Sequence, residues 1–543
     1  MAQPYTSIVG TPPNPKSAPF PNWVDRLVKA RIAYSNKARA ATYYFSQSGN
    51  DTNNGLTPAT AKKSISAANG LVGSGNVALL FHQGDTWTDK ITLTDGGNPN
   101  VTFGSYTDAT VPSGSVMPAK PIFDGNNAGI NTNVDGIFIS GDGSMVQGII
   151  CQNWGTSGQQ NYPIKLAQTQ NNAGLVIDCE AYNGGLHNIA GYISGGLGLG
   201  GIWTVVNCFS GDTVATNGTL FNFYADLGGF EMLIDGCQVR GVTTAGTQIG
   251  CYSHTQDNSH FMALGIVRNL RIVKNGLYYA HQVSAATGSA GAPDNSFIPS
   301  NSRLFEMGTV VERGATECFP QLGLNGGVSI NNIVYGQPSV GAPRQWTSAV
   351  NKSFSYNCVY VIDCSSINAS DHSGWWNTGN SGTASFVWEN CHVHYLNAIS
   401  SSVIGFEYNG TYAGANPSVT TGTLILNSIF TVELNSGTIR IATGLPGGIG
   451  NTTQNNAYFG VGAESSAANY EGDPTPYNLP YLWEPLSTPN TELSLYHGAV
   501  TPADGVRLQY DINFQPRPGV YSIGPVEKTN VSISGSMGNL III

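Results

Sequence analysis

A short apolar motif returns along this chain at a nearly fixed interval, and that interval restricts the fold more than any other feature. Gly148-Ile-Ile-Cys-Gln152, Val176-Ile-Asp-Cys-Glu180, Val205-Val-Asn-Cys-Phe209 and Leu233-Ile-Asp-Gly-Cys237 set Cys151, Cys179, Cys208 and Cys237 at spacings of 28, 29 and 29 residues. The register continues more loosely at Ile272-Val-Lys-Asn275, Val310-Val-Glu-Arg313, Ser329-Ile-Asn-Asn332, Val361-Ile-Asp-Cys364, Val387-Trp-Glu-Asn-Cys391 and Leu424-Ile-Leu-Asn427. That makes roughly ten copies of one unit. A single copy cannot bury its apolar face. Copies stacked at ~4.8 Å can, and the same side chain then recurs at the same height along a continuous core. A coil of ~20–40 residues, rich in strand and cornered by Gly and Asn, is the pattern of an all-β, parallel β-helix. An antiparallel sandwich needs no such period.

Composition narrows the function classes. Only 10% of residues are charged and Gly reaches 68, while 41% are hydrophobic, which excludes a disordered chain. A net charge of −10 argues against nucleic acid as a partner. No apolar run approaches the ~20 residues of a membrane span. Met1-Ala-Gln-Pro-Tyr5 has neither the basic nor the apolar region of a secretory signal. The nine Cys fall at repeat positions and not as zinc or disulfide pairs, so reduced, buried thiols made in a cytoplasm are expected.

Three regions are expected. Residues 1–40 hold a Pro-rich arm, Thr11-Pro-Pro-Asn-Pro-Lys16, and a short amphipathic helix over Asn22–Tyr34 with Val24, Leu27, Val28 and Ile32 on one face. Residues 41–460 form the repeat. Residues 461–543 form a small cap or trimerisation region, where the repeat fades and Asp473-Pro-Thr-Pro476 and Gln515-Pro-Arg-Pro518 follow. The terminus Leu540-Ile-Ile-Ile543 points to burial against a partner subunit.

Two flanking stretches carry a resemblance. Tyr44-Phe-Ser-Gln-Ser-Gly-Asn-Asp-Thr-Asn-Asn-Gly-Leu56, Ser64-Ile-Ser-Ala-Ala68 and Gly84-Asp85 resemble the opening of pectate-lyase-like right-handed parallel β-helices. Asp511-Ile-Asn-Phe-Gln-Pro-Arg517 and Tyr521-Ser-Ile-Gly-Pro-Val-Glu527 resemble the segment that closes many of them. The Pro-rich arm with Asn22-Trp23 is similar to the virion-attachment end of bacteriophage tail proteins. The resemblance implies a homotrimeric tailspike, held to tail or baseplate proteins through residues 1–40, that recognises and cleaves bacterial surface polysaccharide. Such spikes share no catalytic motif, so the resemblance carries over no site residue.

The candidate chemistry comes from the residues. Phe223-Tyr-Ala-Asp226, Cys251-Tyr-Ser-His254, Tyr278-Tyr-Ala-His281 and Cys318-Phe-Pro-Gln321 align without gaps. Strand alternation then predicts two outward columns. One is aromatic (Tyr224, Tyr252, Tyr279, Phe319) and one polar (Asp226, His254, His281, Gln321). Such a surface suits a glycan, whose C–H faces stack on rings and whose hydroxyls need directed partners. Outward Tyr stacks also occur simply as cross-strand pairs. Loops thrown out at 284–301 and 366–383 carry Asp371, His372, Trp375 and Trp376 as further sugar contacts.

Hydrolysis needs two carboxylates ~5–9.5 Å apart, for which Asp226, Asp257, Glu306 and Glu312 are candidates. Elimination from a uronic acid would instead use His254, His281 or Tyr252 as base with Arg268 or Arg271 near the carboxylate. A metal shared by Asp226, His254 and His281 is disfavoured by their outward positions on successive coils, and no cofactor is expected. Asp178, Asp235, Asp363 and Glu389 recur beside the motif and read as structural. The expected activity is a polysaccharide depolymerase, by hydrolysis ahead of elimination, with a non-catalytic adhesin as the competing class.

Overall fold

The computed structural model describes residues 10, 12–107, 119–126, 134–156, 160–168, 172–193, 199–214, 219–225, 229–241, 248–255, 261–273, 277–285, 304–314, 321–322, 328–336, 344–345, 352–363, 375–377, 385–399, 406–408, 424–436, 452–454, 457–459, 508–509 and 512. Strands of these residues form parallel sheets of 14, 13 and 8 strands, here the first, second and third, and a separate three-stranded sheet. The chain visits the three in rotation. Ser144–Gln147 lies in the first, Ile150–Gln152 in the second and Ile164–Leu166 in the third, and Ala173–Ile177 returns beside Ser144–Gln147. This is a parallel β-helix, as the period predicts. Its α-helices among the described residues are Pro19–Ser35 and Ile65–Leu71.

One residue makes the corner from first to second sheet. It is Gly148, Asp178, Asn207, Gly236, Asn269, Gly308, Asn331, Asn357, Asn390 and Asn427 on successive coils, with φ between 50° and 65° throughout. This left-handed conformation is open to Gly and tolerated by Asn and Asp, whereas a branched side chain pays ~1–2 kcal/mol. The corner amides also step up the stack: Asn207 N–H donates to the Asp235 carbonyl at 2.9 Å and Asn357 N–H to that of Glu389 at 3.1 Å.

The residue after each corner explains the cysteines. Cys179, Cys208, Cys237, Cys358 and Cys391 are buried and donate S–H to the carbonyl two residues back, at 3.3, 3.2, 3.5, 3.4 and 3.7 Å. Ser428 does the same with its hydroxyl at 3.0 Å. A small side chain with a donor is what a sharp corner over the core can accept.

The register corrects part of the sequence alignment. Cys151 does not follow a corner; it sits in a second-sheet strand between Phe123 and Ala181, and Ile149 is the residue after the corner Gly148. Ile272-Val273, Val310–Arg313 and Val361–Asp363 likewise belong to second-sheet strands. Apolar alternation is the same on both sides of a corner, so the pattern alone does not separate them.

Both faces of the first sheet are apolar. Val146, Val176, Val205, Ile234 and Val267 stack in register inside the coil. On the outer face Leu175, Leu233, Ile266, Phe305, Val328, Phe354 and Val387 are covered by Phe20, Trp23, Val24, Leu27 and Val28 of the first helix. The amphipathic helix is thus present, starting three residues earlier than expected, at Pro19.

Charges pin this cover. Arg31 Nη2 lies 2.6 Å from Glu231 Oε2, Lys16 Nζ lies 2.5 Å from Glu389 Oε2, and Arg268 bridges Asp235 and Asp25. A late segment reaches the same place. Leu508 joins the apolar layer, Gln509 N–H donates to the Lys16 carbonyl at 2.9 Å, and Asn331 Nδ2 donates to the Ile512 carbonyl at 3.1 Å. No helix among the described residues is long and apolar enough to cross a membrane.

Two outcomes follow from this geometry. Asn207→Val is expected to lower stability by ~1–2 kcal/mol and Asn207→Gly by less, because only the first meets the left-handed penalty; equal shifts in urea midpoint would refute the corner account. Arg31→Met leaves Glu231 buried and uncompensated at a cost of ~3–5 kcal/mol, and adding Glu231→Leu restores most of it; the check is a double-mutant cycle by chemical denaturation.

Candidate glycan-binding face

Third-sheet strands carry Tyr224, Tyr252, His254, Tyr279, His281 and Gln321, in a register that differs from the ungapped alignment. Phe221 and Cys251 pair with each other and are buried, as are Ile164 and Ile189 before them. Tyr252 and His254 occupy the register positions one and three residues after Cys251. Tyr224 pairs with His254, and Asn222 with Tyr252, so the strands are offset by two residues from the ungapped alignment. In register, two columns therefore run Tyr192, Tyr224, His254, Ser284 and Phe138, Lys165, Ala190, Asn222, Tyr252, Gln282, Gln321.

Tyr279 and His281 leave those columns. An extra residue, Tyr278, enters between the pairs Gln248–Leu277 and Ile249–Tyr279. A one-residue slip moves every following residue to the other face. Tyr279 consequently pairs with Ile249, and His281 with the buried Cys251. Gln321 stays in register beside Gln282.

Other candidates fall elsewhere. Glu306 pairs with Val267 on one side and Ser329 on the other, in the column that lines the inside of the coil, and is fully buried. A carboxylate inside the coil does not touch a glycan lying outside it. Trp375 and Trp376 belong to the small three-stranded sheet, Trp376 in register with Arg344 and Glu407. Arg268 is engaged by Asp235 and Asp25 beneath the helix cover. Asp226, Asp257, Asp371 and His372 lie outside the described residues.

A cluster that sequence reasoning missed occupies the same face, on the earlier coils. Asp135 precedes the strand Ile137–Ile139, and Gly136 between them is obligatory, since a Cβ there would lie 2.4 Å from Cys151 Sγ. Asp135 Oδ1 accepts the Tyr162 N–H of the next coil at 3.0 Å. Lys165 stands at the centre of the strand Ile164–Leu166, paired with Phe138, and its Nζ lies 3.5 Å from Asp135 Oδ2. Three rings surround that ammonium, with centroids 4.9 Å (Tyr162), 5.4 Å (Tyr192) and 5.7 Å (Phe138) away. His187 stacks on Tyr162 at 5.5 Å.

Electrostatics distinguish this cluster from a plain ion pair. Burial raises Asp135 from the ordinary carboxylate range to about 6, against the opposing pull of Lys165 and the Tyr162 amide. Burial, with help from Asp135 and Tyr192, raises Tyr162 further above the usual phenol value, so its hydroxyl stays protonated. The arrangement offers a proton donor near neutral pH, an ammonium and ring faces. Its only sequence signal was a Lys in an apolar strand of a chain with 23 Lys and Arg in 543 residues. Among the described residues no group of three or more His, Cys, Asp or Glu is placed to hold a metal.

The raised acid couples to stability. Between the unfolded value of about 3.9 and the folded value of about 6, the native state holds the proton that the unfolded state has lost. Stability is therefore expected to fall by roughly 2–3 kcal/mol as pH rises from ~4 through ~6, and Asp135→Asn to flatten that segment. Urea titrations at pH 4 and 7 check it; the same pH difference in both proteins would refute the assignment.

Among solved structures, the chain is similar to a GH136 lacto-N-biosidase from Eubacterium ramulus, at 14% identity and a TM-score of 0.32, over 80% of this chain and 70% of that one. It is also similar to pectate lyase Pel9A, at 13% identity and a TM-score of 0.33, over 91% of this chain and 98% of that one. No known protein family matches the sequence. No curated protein matches it either.

Proposed function

We propose that this protein binds and cleaves a bacterial surface polysaccharide along the outer face of the third sheet. The observation that carries the reading is the Asp135–Lys165 pair set among Tyr162, Tyr192 and Phe138, on the face that continues to Tyr224, Tyr252 and His254. Rings stacked along coils suit an extended sugar chain. A carboxyl that keeps its proton to about pH 6 suits a general acid for glycoside hydrolysis: it protonates the departing glycosidic oxygen as the C–O bond breaks, and the water that adds to the anomeric carbon releases its proton to solvent, which restores the balance. Lys165 favours a second reading, β-elimination, in which an ammonium offsets a sugar carboxylate while its α-proton is removed. The setting that accompanies the proposal is a homotrimeric phage tailspike attached through residues 1–40. With Lys16 and the first helix held against the first sheet, attachment would fall to residues before Lys16.

Incubation with purified capsule or O-antigen tests this. Chain shortening is expected, with new reducing ends and no unsaturated-uronate absorbance under hydrolysis, or with that absorbance under elimination. Asp135→Asn is expected to lower kcat by ~10²–10⁴ while the protein stays folded, and wild-type hydrolysis to decline as pH rises past about 6, where the acid loses its proton. Unchanged chain length for every polysaccharide would leave a non-catalytic adhesin.

A further inference from the structure

We infer that the third-sheet face selects an acidic sugar and that Lys165 is the residue that reads its carboxylate. The inference rests on the glycan reading above and names the substrate class for it.

The geometry of Lys165 separates it from the other pairs. Lys16 lies fully buried, 2.5 Å from Glu389, and Lys120 meets Glu180 at 2.9 Å, both within charge-assisted hydrogen-bond range. Lys165 stands off Asp135 at 3.5 Å with its side chain one-fifth exposed (20%). An ammonium has three donors, and a partner at that distance takes one at most. The three rings fix the ammonium by their faces and accept no N–H strongly, so they hold it in place without using up its donors.

Charge around it points the same way. Among the described residues, Lys165 is the only Lys or Arg in the third-sheet strands. The chain as a whole carries −10, which disfavours non-specific attraction of polyanions. One held cation in that setting discriminates between ligands more than it adds general affinity. The groups facing it are Asp135, Tyr162, Tyr192 and the His187 that stacks on Tyr162. Asp135 is buried and keeps its proton to about pH 6, so near and below that pH it does not repel an incoming carboxylate. A pyranose uronate placed over Tyr192 would set its C–H face on the ring and its carboxylate on Lys165.

The test is equilibrium binding by calorimetry at pH 5.5 and low salt. Glucuronate- and galacturonate-containing oligosaccharides are compared with their carboxyl-reduced counterparts, using wild type, Lys165→Met and Lys165→Arg, each checked for an unchanged thermal midpoint. Wild type is expected to bind at least one acidic form about ten-fold or more tighter than its reduced form. Lys165→Met is expected to erase that difference and Lys165→Arg to retain most of it. Equal binding of acidic and reduced forms by wild type, no binding of either at millimolar concentration, or a preference that survives Lys165→Met would each overturn the inference. Cleavage of bacterial polysaccharide without acid preference would sink this inference alone. Acid preference without any cleavage would sink the enzymatic reading and leave the subsite standing.

Discussion

The left-handed corner between the first and second sheets is the constraint on which the rest depends. It turns the chain within one residue, and it does so at the same height on each coil from Gly148 to Asn427. Because the turn is short and fixed, the strands on either side enter their sheets in constant register. The interior then becomes a set of columns, Val146 to Val267 among them, in place of an irregular core. The corner also buries the next residue, and a small side chain with a donor there can satisfy a carbonyl two residues back. Cys fills that place five times and Ser428 once among the described corners. Burial raises the thiols of Cys179, Cys208 and Cys391 well above the ordinary range, which leaves them unreactive and structural.

The outer surface of the coil is divided by a different interaction. The first sheet is apolar on its outside, and the N-terminal helix seals it with Phe20, Trp23 and Leu27. Such a helix could slide along a uniform apolar stripe. The Arg31–Glu231 and Lys16–Glu389 pairs fix its position, since each charge is buried and has to find its partner. Glu231 shows the cost of that arrangement: burial raises its carboxyl, and Arg31 opposes the shift. The sealed face is distinct from the third sheet, which carries the Asp135–Lys165 pair.

How much of the site was legible can be argued residue by residue. Cys251 was correctly read as a core position because alternation along one strand is a local property. Its neighbours were misassigned because pairing between coils depends on loop length and on bulges. Tyr278 adds one residue and turns His281 from an expected groove residue into the register partner of a core cysteine. Glu306 was read as an accessible carboxylate, yet its strand places it in the interior column, which the sequence of that strand does not reveal. The Asp135–Lys165 cluster was invisible because its members come from three separate segments, which only coil stacking makes neighbours.

By itself, the sequence determined the class of fold. A 29-residue interval of apolar strand, αL-tolerant residue and small buried side chain can stack only as a parallel coil, because that period is fixed by covalent chain length and by φ at one corner. It also determined that an amphipathic helix would precede the coil. Only the tertiary structure decided which face that helix covers, which columns ran inward, and which carboxyl lost enough water to hold its proton near neutrality. Those outcomes rest on register between coils and on burial, and both are properties of neighbours that lie about one turn of chain apart.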